Sequence, residues 1–205
     1  MQCWLGLVIG FFIFIDSVAA EVFLIPEHTP KPDYPRELFR KGVTGVVRVA
    51  FTANADGSVS KVKTLENPHP QLAEVALAAV SQWRFRLWTV DSDNPAEVEV
   101  VAPMDFRLDL DLPIHFNKSI KKWKCRDLNE AALQYPESSW VDMPAFHYTR
   151  AHLSNVFYST QLPDAERLAL IARLNRSVPY IVRHCSTSPT SRYVRFLPEE
   201  IRKLL

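Results

Sequence analysis

Glycine is scarce in this chain: there are five in 205 residues and none from residue 113 to the end. A Gly-rich phosphate loop and a Gly-x-Ser-x-Gly nucleophile elbow are therefore excluded, since both need glycine where the backbone turns tightly against a ligand. His-Glu-x-x-His and Cys-x-x-Cys are absent too, which removes the common zinc-hydrolase and thiol-redox signatures. An excess of one charge is also lacking, the formal net value being +1. Nucleic-acid binding needs Lys and Arg clustered on one face, and so small a net charge does not make such a footprint. No apolar run reaches the roughly 20 residues that span a bilayer as a helix. The longest, Trp4 to Ile15, has 12 residues and is broken by Gly6 and Gly10.

That short run is followed by Asp16-Ser17-Val18-Ala19-Ala20, with Val18 and Ala20 at the small-residue positions that a signal peptidase reads. Residues 1–20 are expected to be a secretory signal cut before Glu21. No Lys or Arg precedes the run, so retention as a membrane anchor stays open. Export would leave Cys125 and Cys185 as an even pair in an oxidising compartment. A disulfide between them is expected; two buried thiols that never meet are the alternative, because sequence does not supply their separation.

An apolar fraction of 47% with 23% charged residues suits a chain that buries a core. The balance of charge differs along it. Residues 21–112 hold 10 Lys and Arg against 14 Asp and Glu, a net of −4, while residues 113–205 hold 14 against 8, a net of +6. Two units are expected, after a short Pro-containing linker over residues 21–33: one over residues 34–112 and a mostly helical extension over residues 113–205.

Hydrophobic period defines the first unit. Pro30, Pro32 and Pro35 keep the approach extended. Pro35 to Lys41 reads as a short helix with Gly42 as its left-handed cap. Val47, Val49 and Phe51 then alternate with Arg48, Ala50 and Thr52, the period of a half-buried strand. Asn54-Ala55-Asp56-Gly57 is the turn of a hairpin whose second strand runs from Val59 to Leu65. Leu72, Val75, Ala76, Ala79, Val80 and Trp83 mark one face of a helix. From Val98 to Leu110 every even position is apolar, a last strand that Pro103 confines to a sheet edge or a bulge.

Together these elements resemble the C-terminal domain of the TonB energy transducers. The resemblance rests on Pro32-Asp33-Tyr34-Pro35, Gly42-x-x-Gly45 before a Val-rich strand, Asp56-Gly57, Trp83-Arg84-Phe85 and Phe106-Arg107-Leu108. It implies an α+β fold, a three-stranded antiparallel sheet with packed helices, over residues 26–112. It also implies a periplasmic module that grips an extended segment of an outer-membrane TonB-dependent receptor, or of another periplasmic protein, by adding a strand to its sheet. Carried over, the partner-binding residues would be Lys31, Pro32, Asp33 and Tyr34 with the last strand, Val100, Ala102, Met104, Phe106 and Leu108. Homodimerisation is a further expectation. Tyr34 has a second reading, packing on the helix, and Met104, Phe106 and Leu108 read as core residues whose backbone alone would bind.

Three departures from the family pattern stand out. Arg86-Leu87-Trp88 replaces a proline after the Trp motif, Lys31 replaces a common glutamine, and no long Pro-rich spacer precedes the domain. The 13 residues Glu21 to Asp33 reach roughly 45 Å when fully extended. The expectation is a TonB-like module without its motor, an inner-membrane-anchored energy transducer being the alternative.

In the extension, helices are expected over Asp127–Gln134, Ala145–Ser159 with Phe146, Leu153, Val156 and Phe157 inward, and Asp164–Asn175. Tyr180–Val182 and Tyr193–Phe196 read as a small hairpin, and Glu199-Glu200 before Arg202-Lys203 as a terminal helix with the charge order its dipole favours. An exported hydrolase housed here is the alternative from another class, but no constellation supports it. His147 and His152 are five apart and do not share a helix face for one metal. His184, Cys185 and Cys125 could hold zinc only if the disulfide is absent. Neither an enzymatic activity nor any cofactor is expected.

Overall fold

The computed structural model describes residues 23–113, 115–155 and 161–205. The expected signal, residues 1–20, and the inward Val156 and Phe157 lie outside them.

A three-stranded antiparallel sheet forms in the order β3-β2-β5, with β2 (Gly45–Asn54) between β3 (Val59–Glu66) and β5 (Glu97–Phe106). Alternation in β2 points Val47, Val49, Phe51 and Ala53 into the core, where each is at most 3% exposed. Helix α2 (Pro70–Val80) covers that face with Leu72, Ala73, Ala76, Ala79 and Val80. Helix α1 (Arg36–Lys41) adds Leu38 and ends at Gly42, whose φ of 72° lets two amides turn back onto Leu38 and Phe39. The other face of the sheet stays open, with Val46, Leu65 and Val101 exposed. In β3 the register slips, and Lys61, at φ 52°, is the residue that absorbs it.

A second, two-stranded pairing joins β1 (Pro26–His28) to β4 (Arg84–Phe85). It carries no periodic signal because two or three residues cannot show one. Its role is to seat the Trp motif: Trp83 packs edge-on against Phe51 at 5.6 Å, and its indole N–H donates to the Pro30 carbonyl at 3.1 Å. The proline-rich approach is thus tied to the core.

The extension is helical, as expected, but two of its elements differ from the sequence reading. It comprises α3 (Phe116–Ile120), α4 (Cys125–Ala132), a 3₁₀ turn (Glu137–Asp142), α5 (Pro144–Leu153), α6 (Asp164–Thr187), a second 3₁₀ turn (Tyr193–Phe196) and α7 (Glu199–Leu204). The expected hairpin does not form. Tyr180–Val182 belongs to α6, which continues past Asn175 and through Pro179. Ile171, Leu174, Val178, Ile181, Val182 and Cys185 are all buried, and that single helical stripe outweighs both the proline and the β-branched pair Ile181-Val182. Among the described residues of the extension, strand-like pairing is confined to a lone bridge between Lys124 and Arg192. Cys125, opening α4, and Cys185, in the last turn of α6, form a disulfide with their Cα atoms 4.7 Å apart.

The extension packs against α1. Arg40 holds Asp142 through two hydrogen bonds, Nε at 2.8 Å and a terminal nitrogen at 2.6 Å, and Arg36 joins the same carboxylate. Arg167 donates to the Gly42 carbonyl at 2.6 Å and Asn175 to the Arg40 carbonyl at 2.8 Å, so α6 satisfies carbonyls that the end of α1 leaves open. Gly42 is needed here twice, since a Cβ would also stand 2.3 Å from the Ile171 side chain.

The Arg40 hydrogen bonds, assisted by Arg36, hold the Asp142 carboxyl down at about 2. Its folded pKa lies below its unfolded one, so the stabilisation is complete above about pH 4 and is lost as pH falls toward 2. With solvent screening allowed for, it amounts to about 1 to 2 kcal/mol. Asp142→Asn is expected to lose that amount at neutral pH in urea unfolding. It should also flatten the dependence of stability on pH between 4 and 2; an unchanged slope would show that the pair contributes nothing.

Candidate functional site

β5 pairs with β2 over its whole length without a register shift, from Gly45 opposite Phe106 to Asn54 opposite Glu97. Among the described residues no strand pairs with its other side. Backbone groups of successive residues alternate between the two sides of a strand. Pro103, opposite Arg48, has no N–H, and an unbroken ladder places it in a pair that needs none. The even residues Val98 to Phe106 therefore bond to β2, and Glu99, Val101, Pro103 and Asp105 present their backbone groups to the free edge. That edge has a gap in its row of donors at Pro103.

At the end of β5 the edge opens into a groove of about 490 Å³. Of the nine residues named from sequence, Lys31, Pro32, Tyr34, Met104, Phe106 and Leu108 line it. Asp33 is exposed beside it and does not line it, while Val100 and Ala102 sit half-buried farther along β5. Tyr34 packs as its second reading has it, and it also lines the groove. Its ring meets Phe39 and Phe106 edge-on, each at 5.3 Å, and its hydroxyl donates to the Val43 carbonyl. Burial pushes its phenol well above the usual range, so it stays a neutral donor. Met104, Phe106 and Leu108 are buried, and the backbone groups of Met104 and Phe106 are turned to β2, so these two offer the groove the edges of their side chains and not the free backbone expected of them.

Sequence reasoning missed the wall facing the strand. Phe39 from α1, Leu110 and Asp111 beyond β5, and His147 from α5 complete it. Leu110 continues the even-numbered apolar phase of β5 and was legible; His147 carries no local signal, because the contact joins residues 39 apart. Its Nε2 hydrogen-bonds the Leu108 carbonyl at 3.0 Å and its ring lies 4.8 Å from that of Phe39. A carbonyl only accepts, so Nε2 carries the proton. Burial lowers the pKa of His147, which favours this neutral tautomer. Lys31, exposed at the rim, forms no ion pair among the described residues, whereas Arg107 is taken up by Asp109 at 2.9 Å. The groove is thus apolar inside, and its mouth carries Lys31 together with the exposed carboxylates of Asp105 and Asp111.

Among the described residues no three His, Cys, Asp or Glu side chains gather to hold a metal. Cys125 and Cys185 are joined, and His184 donates from Nδ1 to the Tyr180 carbonyl at 2.8 Å. No described helix is long and apolar enough to cross a membrane.

The class is therefore an α+β module whose three-stranded sheet leaves the edge of β5 free beside an apolar groove. Residues 30–108, the segment that forms the sheet and most of the groove, match the family described as the Gram-negative bacterial TonB protein C-terminal. The TonB proteins of Xanthomonas campestris pv. campestris, strains B100 and ATCC 33913, are each 29% identical over 94 residues, which is 45% of this chain and 42% of theirs. The chain thus spans less than half the length of these relatives. The solution structure of the Pseudomonas aeruginosa TonB C-terminal domain is 22% identical, with a TM-score of 0.35, and covers 45% of this chain and 90% of that one. The first unit of this protein resembles the TonB C-terminal domain, and its own sheet and helices make an α+β fold.

Proposed function

We propose that this protein is a periplasmic TonB-like binding module associated with TonB-dependent transport across the outer membrane, and that it grips an extended segment of a receptor by strand addition. The observation that carries this reading is the unpaired edge of β5, Glu97–Phe106, running into the apolar groove at its end. An incoming strand gains main-chain hydrogen bonds along Glu99, Val101 and Asp105, and its alternate side chains reach the groove. The module performs no catalysis on this reading; its work is capture.

Pro103 makes the reading sharp. Proline on an edge strand blunts unwanted pairing, because one donor is missing from the row. Titrating the protein with receptor-derived extended peptides, followed by backbone amide shifts, is expected to perturb Glu99, Val101 and Asp105. Pro103→Ala restores the donor and should tighten binding about fivefold, the equivalent of roughly 1 kcal/mol for one net hydrogen bond. Absence of any perturbation along β5 would count against strand addition. A change in sedimentation with no peptide response would instead assign the edge to a second copy of this chain.

A further inference from the structure

The ladder between β2 and β5 does not stop because β5 runs out of register. The next hydrogen-bonded pair after Gly45 and Phe106, two positions on, would be Val43 with Leu108. Val43 has left the sheet: its N–H donates to the Leu38 carbonyl at 3.0 Å, closing α1, and its carbonyl accepts from Tyr34. Leu108 is nonetheless 3% exposed, so its carbonyl needs a replacement donor. His147 supplies it from α5, a helix that lies outside the matched segment 30–108. That helix begins two residues after Asp142, which is bound by Arg40 and Arg36.

We infer that the helical extension is part of the capturing surface: His147 is a positioning residue that takes over from β2 at Leu108, fixes the wall of the groove and selects a segment with one bulky apolar anchor. This rests on the reading of the β5 edge given above and names the chemistry of its partner. The anchor is apolar because it meets Tyr34, Phe39, Phe106 and Leu110 around a neutral imidazole. Strand pairing along Glu99 and Val101 supplies affinity for any extended chain. Discrimination between chains comes from the groove, whose wall facing the strand is set by the extension and by α1. The extension therefore does for this module what a longer β2 would do, and adds an aromatic surface that a strand backbone does not offer.

The probes are two short acetylated and amidated Thr-rich peptides, identical except for Trp or Ala at one central position, titrated into the full chain. The Trp peptide is expected to bind at least about tenfold more tightly, as burial of a large aromatic anchor implies. It alone should move the His147 imidazole nitrogen resonances, while both peptides move the amides of Glu99 and Val101. His147→Ala should reduce the Trp-over-Ala preference to about threefold or less, and His147→Gln, which keeps a side-chain N–H, should restore part of it. An unchanged preference in a folded His147→Ala protein overturns the inference and leaves strand addition standing. If His147→Ala does not fold, silence of the His147 resonances on adding the Trp peptide to the unaltered protein overturns it equally. If neither peptide moves the β5 amides, the reading of the edge fails as well.

Discussion

Replacing Gly57 by alanine is expected to remove about 2 to 5 kcal/mol of stability, seen as a large drop in the urea midpoint, although the position lies in a hairpin turn. Two costs combine. Gly57 sits at φ 80°, where a side chain is strained, and that alone costs about 1 to 2 kcal/mol. A Cβ would also stand 2.1 Å from the Phe85 carbonyl oxygen, a backbone atom that cannot swing aside. The Phe85 N–H donates to the Gly57 carbonyl at 2.9 Å and the Trp88 N–H to that of Ala55 at 3.0 Å, so the hairpin turn and the Trp motif are laced together. Moving one unseats the other, and overpacking of this kind adds about 1 to 3 kcal/mol. Gly57→Asn separates the terms: asparagine tolerates the left-handed region but carries the same Cβ. A loss close to that of alanine would assign the effect to the contact with Phe85, and a loss under about 1 kcal/mol in both variants would refute it.

This close approach shows why some of the molecule is legible in its sequence and some is not. Strands β2 and β5, helix α2 and the Asp56-Gly57 turn announce themselves because their buried faces repeat at a period set by local geometry. Half of the reason Gly57 must be glycine is not local: beside its positive φ stands the main chain at Phe85, seated by a pairing of β1 and β4 too short to show any pattern. The same division runs through the site. Tyr34, Met104, Phe106 and Leu108 were found by motif and period, and the structure gathers them around one groove. His147 was not found, because what places it is a single carboxylate, Asp142, gripping two arginines of a helix about a hundred residues earlier. In α6 the local signals misled, since Pro179 and the pair Ile181-Val182 resemble a strand boundary and a strand. Burial of one continuous stripe on that helix decided otherwise.

Packing of the extension onto α1 runs against the charge asymmetry of the two units. The acidic first unit nevertheless presents cations, Arg36 and Arg40, at the junction, and the basic extension answers with Asp142. Local complementarity runs opposite to the net charges. The arrangement fixes α1 against α5, and Tyr34, Phe39 and His147 meet where those elements converge. Loosening the junction should therefore widen the groove before it unfolds the sheet, so Asp142→Asn is expected to weaken anchor selectivity as well as stability.

Reduction of the Cys125–Cys185 disulfide is expected to cost about 4 kcal/mol, the loop-closure entropy released when residues 60 apart are no longer joined. Both sulfurs belong to the core of the extension: each cysteine is fully buried. The bridge fastens the start of α4 to the end of α6, where the Cys125 N–H also donates to the Ser191 carbonyl at 2.8 Å and Asn129 donates to the Cys185 carbonyl at 3.1 Å. With the crosslink open, the unfolded chain regains freedom while the folded one keeps these contacts, so the loss falls on stability and leaves the native structure in place under mild conditions. A paired Cys125→Ala and Cys185→Ala protein should retain native-like near-ultraviolet circular dichroism at 25 °C, yet unfold at a much lower urea concentration. The β5 edge lies in the other cluster of buried side chains, so peptide-induced shifts at Glu99 and Val101 should persist in the reduced protein. Selectivity for an aromatic anchor should fall on warming, before the sheet unfolds, because α5 packs directly against α6 and its hold on His147 depends on that core. Coincident loss of the anchor preference and of the sheet, at one temperature in both the bridged and the reduced protein, would show that the extension and the sheet melt as a unit and that the disulfide does not act through the groove.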